Sequence, residues 1–229
     1  IFSPCLSYNI DEKVSDNSYN CPIVAYYPEL LRANMDDLKK VRFLSPFLNV
    51  NKPSVLAGEL LERLNADGWN ITRREMKNAV NAGFTAYHGY MATLRAEGDR
   101  ALEYARKNGK RIMILAGRPY HADPEINHGI DKLALSLGFV VVSEDSVSDL
   151  APLPPLRVLN QWTYHSRLYR AALYAAEHPD TELVQLVSFG CGIDAITTDE
   201  VRSILESRGK LYTQIKIDEI TNLGAVRIR

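Results

Sequence analysis

The second half of the chain predicts an α/β fold built on an open, Rossmann-like or flavodoxin-like parallel sheet. Three observations predict it. Short apolar runs recur at residues 111–116, 139–143, 183–188 and 211–217; helix-type stretches separate them; and each run is only about five or six residues long, as expected of strands in a parallel sheet. The composition agrees: 229 residues, 46% hydrophobic and 24% charged, describe a globular chain long enough to bury a core and exclude disorder or collagen. A formal charge of −1 leaves no basic field for nucleic acid or an anionic membrane. No apolar run approaches the roughly 20 residues of a membrane helix, and no signal peptide opens the chain, so the expected location is cytoplasmic.

Taken in order, the first half reads as mostly helical. Leu30, Leu31, Met35 and Leu38 set a helix over 28–40, and Pro53 opens a second that Gly68 stops. Thr72 and Glu75 form a capping-box pattern that starts a third, running to Asn108 before Gly109. Gly83, Gly89 and Gly98 inside it predict one bend or break. In the second half helices are expected over 124–137 and 158–177, and a second capping-box pattern, Thr197 to Glu200, predicts a helix from there to Arg208. The division that follows is 1–50, the remainder of a first lobe; 51–109, a helical segment; and 110–229, the α/β lobe. The first residues read as the end of a strand leaving through Ser3, Pro4 and Cys5, and the last as a helix start, so the expectation is a piece of a larger polypeptide, with its first lobe truncated.

An open parallel sheet binds ligands at the carboxyl ends of its strands, where loops converge and helix N-termini point free N–H groups. The polar clusters fall at that edge. Gly117, Arg118, His121 and His128 follow the first run, residues 143–146 the second, Ser188 to Asp194 the third, and Asp218, Glu219 and Asn222 the fourth. Arg118, with its planar fork, and His121 and His128, which change protonation near neutrality, are candidate catalytic residues. The plainer reading of each is a surface arginine and locally bonded loop histidines, with Asp194 only serving a helix N-terminus.

The cysteines number three, Cys5, Cys21 and Cys191, an odd count for disulfides. Buried filler is the ordinary role of such thiols. Cys191, however, sits between Gly190 and Gly192, which let backbone approach a bulky ligand, and directly before a helix start, a setting that favours a thiolate. Cys5 at a strand end and Cys21 before Pro22 follow similar loop logic. Their spacing defines no zinc or ferredoxin motif, and no Walker loop, dinucleotide fingerprint, serine-hydrolase elbow or zinc-protease helix is present.

The blocks at 20–25 (Asn-Cys-Pro-Ile-Val-Ala), 43–47, 115–129, 161–167, 188–192 (Ser-Phe-Gly-Cys-Gly), 217–219 and 222–225 resemble the uncharacterised domain of the large CoA enzyme activase-related proteins. These are similar to the 2-hydroxyacyl-CoA dehydratase component family. The resemblance implies two flavodoxin-like lobes, a [4Fe–4S] cluster in the intact protein held by Cys5, Cys21 and Cys191 with Gly190 and Gly192 beside it, and an ATPase activase domain, in the same or a partner chain, that drives low-potential electrons onto the cluster. It also implies an acyl-CoA or similar substrate gripped by Arg118, His121 and His128, and an enzyme of dehydratase or reductase type, of which this piece alone is inactive. The alternative is a metal-free module that binds a phosphate or carboxylate. A third reading makes the long helix a scaffold or dimerisation surface, compatible with a homo-oligomer.

Overall fold

A computed structural model describes residues 1–188, 190–217 and 223–228. Contacts divide the chain into one unit of residues 1–90 with 160–163, and a second of residues 91–159 with 164–229.

In the first unit β1 (Cys5–Tyr8) and β2 (Phe47–Asn49) pair in parallel, Cys5 opposite Phe47. Cys5 therefore opens a strand where the sequence suggested it leaves one, and it is fully buried there. Helix α1 (Pro22–Asn34) starts on Pro22, whose missing N–H costs a first turn nothing, and carries a local departure from helical angles at Tyr26, just before its internal Pro28. The expected helix over 28–40 is thus an earlier helix followed by a 3-10 turn, Asp36–Lys40. α2 (Pro53–Ala66) ends as expected before Gly68.

Helix α3 (Arg73–Lys107) begins with the capping box read from the sequence: the Thr72 hydroxyl accepts from the Glu75 N–H at 3.2 Å while Glu75 Oε2 accepts from Thr72 N–H at 2.9 Å. It runs its 35 residues unbroken, roughly 50 Å at helical rise. The expected break is absent because the glycines do not interrupt the ladder. Gly98 serves packing instead: a Cβ there would lie 2.8 Å from Ser146 Cβ. The unit boundary falls inside α3, at 90/91 and not at 109/110, because Leu102 and Ala105 pack into the core of the second unit.

That core surrounds a four-stranded parallel sheet of β3 (Ile112–Ala116), β4 (Val140–Ser143), β5 (Thr181–Val187) and β6 (Thr213–Lys216), in the order β4-β3-β5-β6. The architecture is the expected flavodoxin-like one. Between β3 and β4 the single helix expected over 124–137 is two, α4 (Pro124–Asn127) and α5 (Ile130–Ser136). His128 and Gly129 break it with φ of 54° and 80°, and Asn127 Oδ1 holds the corner by accepting from Gly129 N–H at 2.8 Å. A further short helix, α6 (Glu144–Val147), leaves β4 directly. α7 (Thr163–Glu177) starts five residues later than expected, because the Asn160 and Gln161 carbonyls accept backbone bonds from Asp16 and Tyr19. α8 (Gly192–Glu206) starts five residues before Thr197, which places Thr197 and Glu200 in its buried interior, not in a cap. α9 (Gly224–Ile228) closes the described chain.

One face of the sheet, with Ile112, Ile114 and Leu183, is covered by α3, α7 and α8 through Leu102, Tyr169, Val201 and Leu205. The other, with Val184, Leu186 and Ile215, meets Ile130 of α5. Each fully buried Ile or Leu contributes about 1.5–3 kcal/mol. The chain moves from β3 out to β4 and then back across to β5, so the strand order reverses between β3 and β5. The carboxyl ends of those two strands form the crevice in which such sheets bind ligands.

Candidate functional site

The loops leaving β3 and β5 meet at that crevice through side chains. Gly117 ends β3 and is required there: a Cβ would lie 2.1 Å from His121 Nδ1 and 3.0 Å from Leu186 O. His121, 3% exposed, folds back so that Nδ1 accepts the Arg118 backbone N–H at 2.9 Å. Its proton therefore sits on Nε2, which faces Ser188 Oγ at 3.4 Å. In that tautomer His121 donates to Ser188 and does not act as its base, so the pair is not a hydrolase dyad. Tyr120 reaches the same hydroxyl at 3.2 Å.

Arg118 spans the two loops. Asp194 Oδ1 accepts from Arg118 Nε at 3.1 Å and from Nη2 at 2.7 Å, while Oδ2 accepts the Ser188 backbone N–H at 3.1 Å. Both side chains are nearly covered, 12% and 7% exposed. Burial works against the guanidinium charge, and the Asp194 carboxylate leads the attractions that hold Arg118 above its ordinary value. Nη2 also donates to Cys191 Sγ at 3.5 Å. Cys191 is the N-cap of α8, half-buried, with no capping bond from its side chain. Beside it, a Cβ at Gly190 or Gly192 would meet nothing within 4 Å, so the space next to this helix start is open.

Behind the loops lies a second layer of buried ionisable groups. Burial first, and the neighbouring Asp145 second, push Glu144 up to about 8, against the Arg167 charge and the Gly117 N–H. Burial, helped by the positive Arg118, pushes His165 down to about 3. Glu144 is therefore a neutral acid and His165 a neutral imidazole at pH 7.

Of the residues read from the sequence, Arg118, His121, Cys191, Gly190 and Gly192 come together here. His128 does not: it is exposed at the left-handed corner between α4 and α5. Asp218, Glu219 and Asn222 lie outside the described residues. Sequence reasoning placed Ser188, Asp194 and Glu144 in the polar clusters of the sheet edge, but chose none of them, nor Tyr120 or His165, as a site residue. Asp194 was visible only as a helix-cap residue, although its place one turn into a helix that starts at a Gly-Cys-Gly corner is the signal that finds it.

The other two cysteines belong to the first unit. Cys21 matches Cys191 in setting, an N-cap of α1 with a half-buried thiol and no capping bond. Cys5 is 0% exposed, and burial raises its thiol. Iron ligation needs sulfurs with a free approach. Cys21 and Cys191, each half-buried in its own unit, offer one, and the fully buried Cys5 does not. Among the described residues no three His, Cys, Asp or Glu side chains gather as a metal site, and no helix is long and apolar enough to cross a membrane.

With this geometry in place, comparison with known families is decisive at one point: residues 1–147 match the CoA enzyme activase uncharacterised domain (DUF2229). The chain belongs to that family. The match covers residues 1–90 of the first unit, β3, β4 and the loop of Arg118 and His121, and stops before Cys191. No curated protein and no solved structure matches significantly. Membership gives the chain a CoA enzyme activase-related context.

Proposed function

We propose that this domain is part of an iron–sulfur protein resembling the 2-hydroxyacyl-CoA dehydratase components, and that Cys191 is a thiol it offers to a [4Fe–4S] cluster. The observation that carries the reading is Cys191: an uncapped, half-exposed thiol at a sheet switch point, on a helix start, with an arginine N–H directed at its sulfur. Cys21 repeats the first part of that setting at α1. A bound cluster supplies a low-potential electron, which an ATPase activase domain of the same or a partner chain energises, for reduction of an acyl-CoA or similar substrate. In this reading Cys5 is a core residue, His121 and Ser188 brace the crevice, and Arg118 is spent within it and not on the substrate. The test is anaerobic reconstitution of the chain with iron(II) and sulfide. Iron binding with broad visible absorbance in the wild type and in Cys5→Ala, lost in Cys191→Ala, supports the reading. A wild type that takes up no iron overturns it.

One observation favours a metal-free alternative, binding of a phosphate or carboxylate: the open space at Gly190 and Gly192 beside the first turn of α8, whose N–H groups suit an anion. Inorganic phosphate added to the iron-free chain then perturbs the amide resonances of residues 190–194 at millimolar concentration. Unchanged resonances remove this alternative.

A further inference from the structure

The two faces of the second unit's sheet are covered unequally. On one, α7 and α8 supply 15 residues each, about 22 Å of helix apiece. On the other, α5 is held to 7 residues by left-handed glycines at its two ends, Gly129 at φ 80° and Gly138 at φ 91°, and spans only about 10 Å. The short α9 meets the same face through Val226. Between them lies a cavity of about 350 Å³, floored by Met113, Val184 and Ile215 and walled by Leu133, Ala134 and Val226. That volume is in the range of small-molecule sites. The cavity reaches Arg111, Phe139 and Leu211 at the amino ends of the strands, the opposite edge of the sheet from the Cys191 crevice. Two of its lining residues stand in water, Leu137 at 46% and Leu211 at 82% exposure, and an apolar ligand entering here covers both.

The charged groups of this lining do not balance. Arg111, Lys210 and Arg227 are cations, and Glu182 is the single acid. Glu182 is already engaged by two of them, its Oε1 accepting from Arg111 Nη2 at 2.6 Å and from Lys210 Nζ at 3.5 Å. Lys210 is held further by the His178 and Thr181 carbonyls, which accept from Nζ at 2.9 and 2.8 Å. Arg227 is exposed, and the lining holds no second acid to face it. We propose that the cavity binds a small amphiphilic carboxylate, with its aliphatic tail on Met113, Val184 and Ile215 and its head group at Arg227 and Arg111. A sugar or nucleoside is excluded because its hydroxyls would lie unpaired on that apolar floor. The surplus of positive charge selects an acid over an amine or a neutral hydrocarbon. No cysteine lines the cavity, so the proposal goes beyond the iron–sulfur reading and is independent of it.

The experiment titrates the full chain, carrying isotope-labelled methyl groups, with hexanoate, heptanoate, octanoate and octanol, and follows the methyl resonances of Met113, Leu133, Val184 and Ile215. Saturable shifts are expected, with binding about fourfold tighter for each added methylene, the equivalent of ~0.8 kcal/mol per buried CH₂. Octanol, which lacks the charge, is expected to bind about two- to fivefold more weakly than octanoate. Leu211→Glu sets a carboxylate at the mouth on an 82% exposed position and is expected to weaken octanoate about tenfold or more, with a smaller effect on octanol. Arg227→Gln is expected to weaken octanoate about two- to fivefold. Far-UV circular dichroism confirms the fold of each variant, and should Leu211→Glu fail to fold, Arg227→Gln carries the test. Shifts that never saturate, or octanoate affinities in the folded variants equal to the wild type's, overturn the proposal. Octanol binding as tightly as octanoate overturns the choice of an acid. A second copy of the chain seated on this face gives instead a sedimentation coefficient that rises with protein concentration and methyl groups that octanoate does not reach, and that result also overturns the site. A wild type that takes up no iron defeats only the reading at Cys191 and leaves this cavity untouched.

Discussion

Cys21 and Cys191 occupy the same backbone position in two regions of the molecule, yet their surroundings have little in common. Each is an N-cap, half-buried, with a side chain that caps nothing. The helix behind Cys21 buries only Pro28 and exposes Ile23, Val24, Tyr26, Tyr27 and Leu30. The helix behind Cys191 buries seven residues, among them Asp194, Thr197, Thr198 and Glu200. The difference teaches that a helix start acquires specific chemistry from what the core behind it can hold. A well-packed sheet edge keeps Arg118, Asp194, Glu144 and His165 out of water in fixed geometry, whereas an exposed helix of the first unit offers Cys21 no comparable partner among the described residues.

The strongest way to break the contrast is to remove one charge from the crevice. Asp194→Ala leaves a buried guanidinium uncompensated and is expected to destabilise the second unit by about 3–5 kcal/mol. The matching change in the first unit, Glu29→Ala beside the exposed Arg32, is expected to cost under about 1 kcal/mol, since that pair is 61% and 38% exposed. Urea unfolding of the two variants checks both, and equal costs would remove the contrast. The next effect is on pH dependence. Glu144, at about 8 against an ordinary 4.5, is stabilised by folding as the neutral acid, so its contribution is complete below 4.5 and is lost as pH rises through 8. His165, at about 3 against 6.5, is stabilised as the neutral base, so its contribution is complete above 6.5 and is lost as pH falls toward 3. Each is worth on the order of 5 kcal/mol at its limit. The expected outcome is that Glu144→Gln removes most of the stability loss between pH 6 and pH 9, measured by thermal melts across that range; an unaltered alkaline slope contradicts it.

A smaller test uses two glycines. Gly117→Ala drives a Cβ to 2.1 Å from His121 Nδ1 and is expected to cost about 1–3 kcal/mol, while Gly58→Ala in α2, where a Cβ meets nothing, is expected to stabilise by about 0.5–1 kcal/mol. Opposite signs in the two melting temperatures confirm it.

The sheet, its strands and the edge that carries the site were legible because short apolar runs between helix-type stretches leave one economical packing. The Gly117 loop and the Cys191 corner were legible for the same reason, being the connections that the topology forces to meet. Helix starts were less so. Thr197 and Glu200 mimic a capping box, yet they are buried mid-helix: Thr197 Oγ1 donates back to Asp194 O at 3.2 Å, and Glu200 accepts from Arg157 N–H at 3.1 Å. The pattern is local and tertiary contacts decided it otherwise. The Arg118–Asp194 pair spans 76 residues, and nothing in either local sequence names the other as partner. Cys5 was misplaced because a strand beginning and a strand ending look alike over five residues.

The finest discrimination between the two cysteines comes from serine. At an N-cap a Ser hydroxyl accepts from the N–H of the second or third helical residue and is worth about 1 kcal/mol over a residue that cannot cap. Cys21 makes no such bond, and among the described residues no side chain donates to its sulfur, so Cys21→Ser is expected to raise the stability of the first unit by about 0.5–1 kcal/mol. At Cys191 the same hydroxyl has a competing donor, Arg118 Nη2, which stands 3.5 Å from the present sulfur and carries a full charge. A charged donor outbids a backbone amide for one oxygen. Cys191→Ser is therefore expected to leave stability within about 0.5 kcal/mol of the wild type. Equal gains in the two variants would mean that Arg118 does not engage position 191, and the contrast drawn from the two helix starts would then reduce to burial alone.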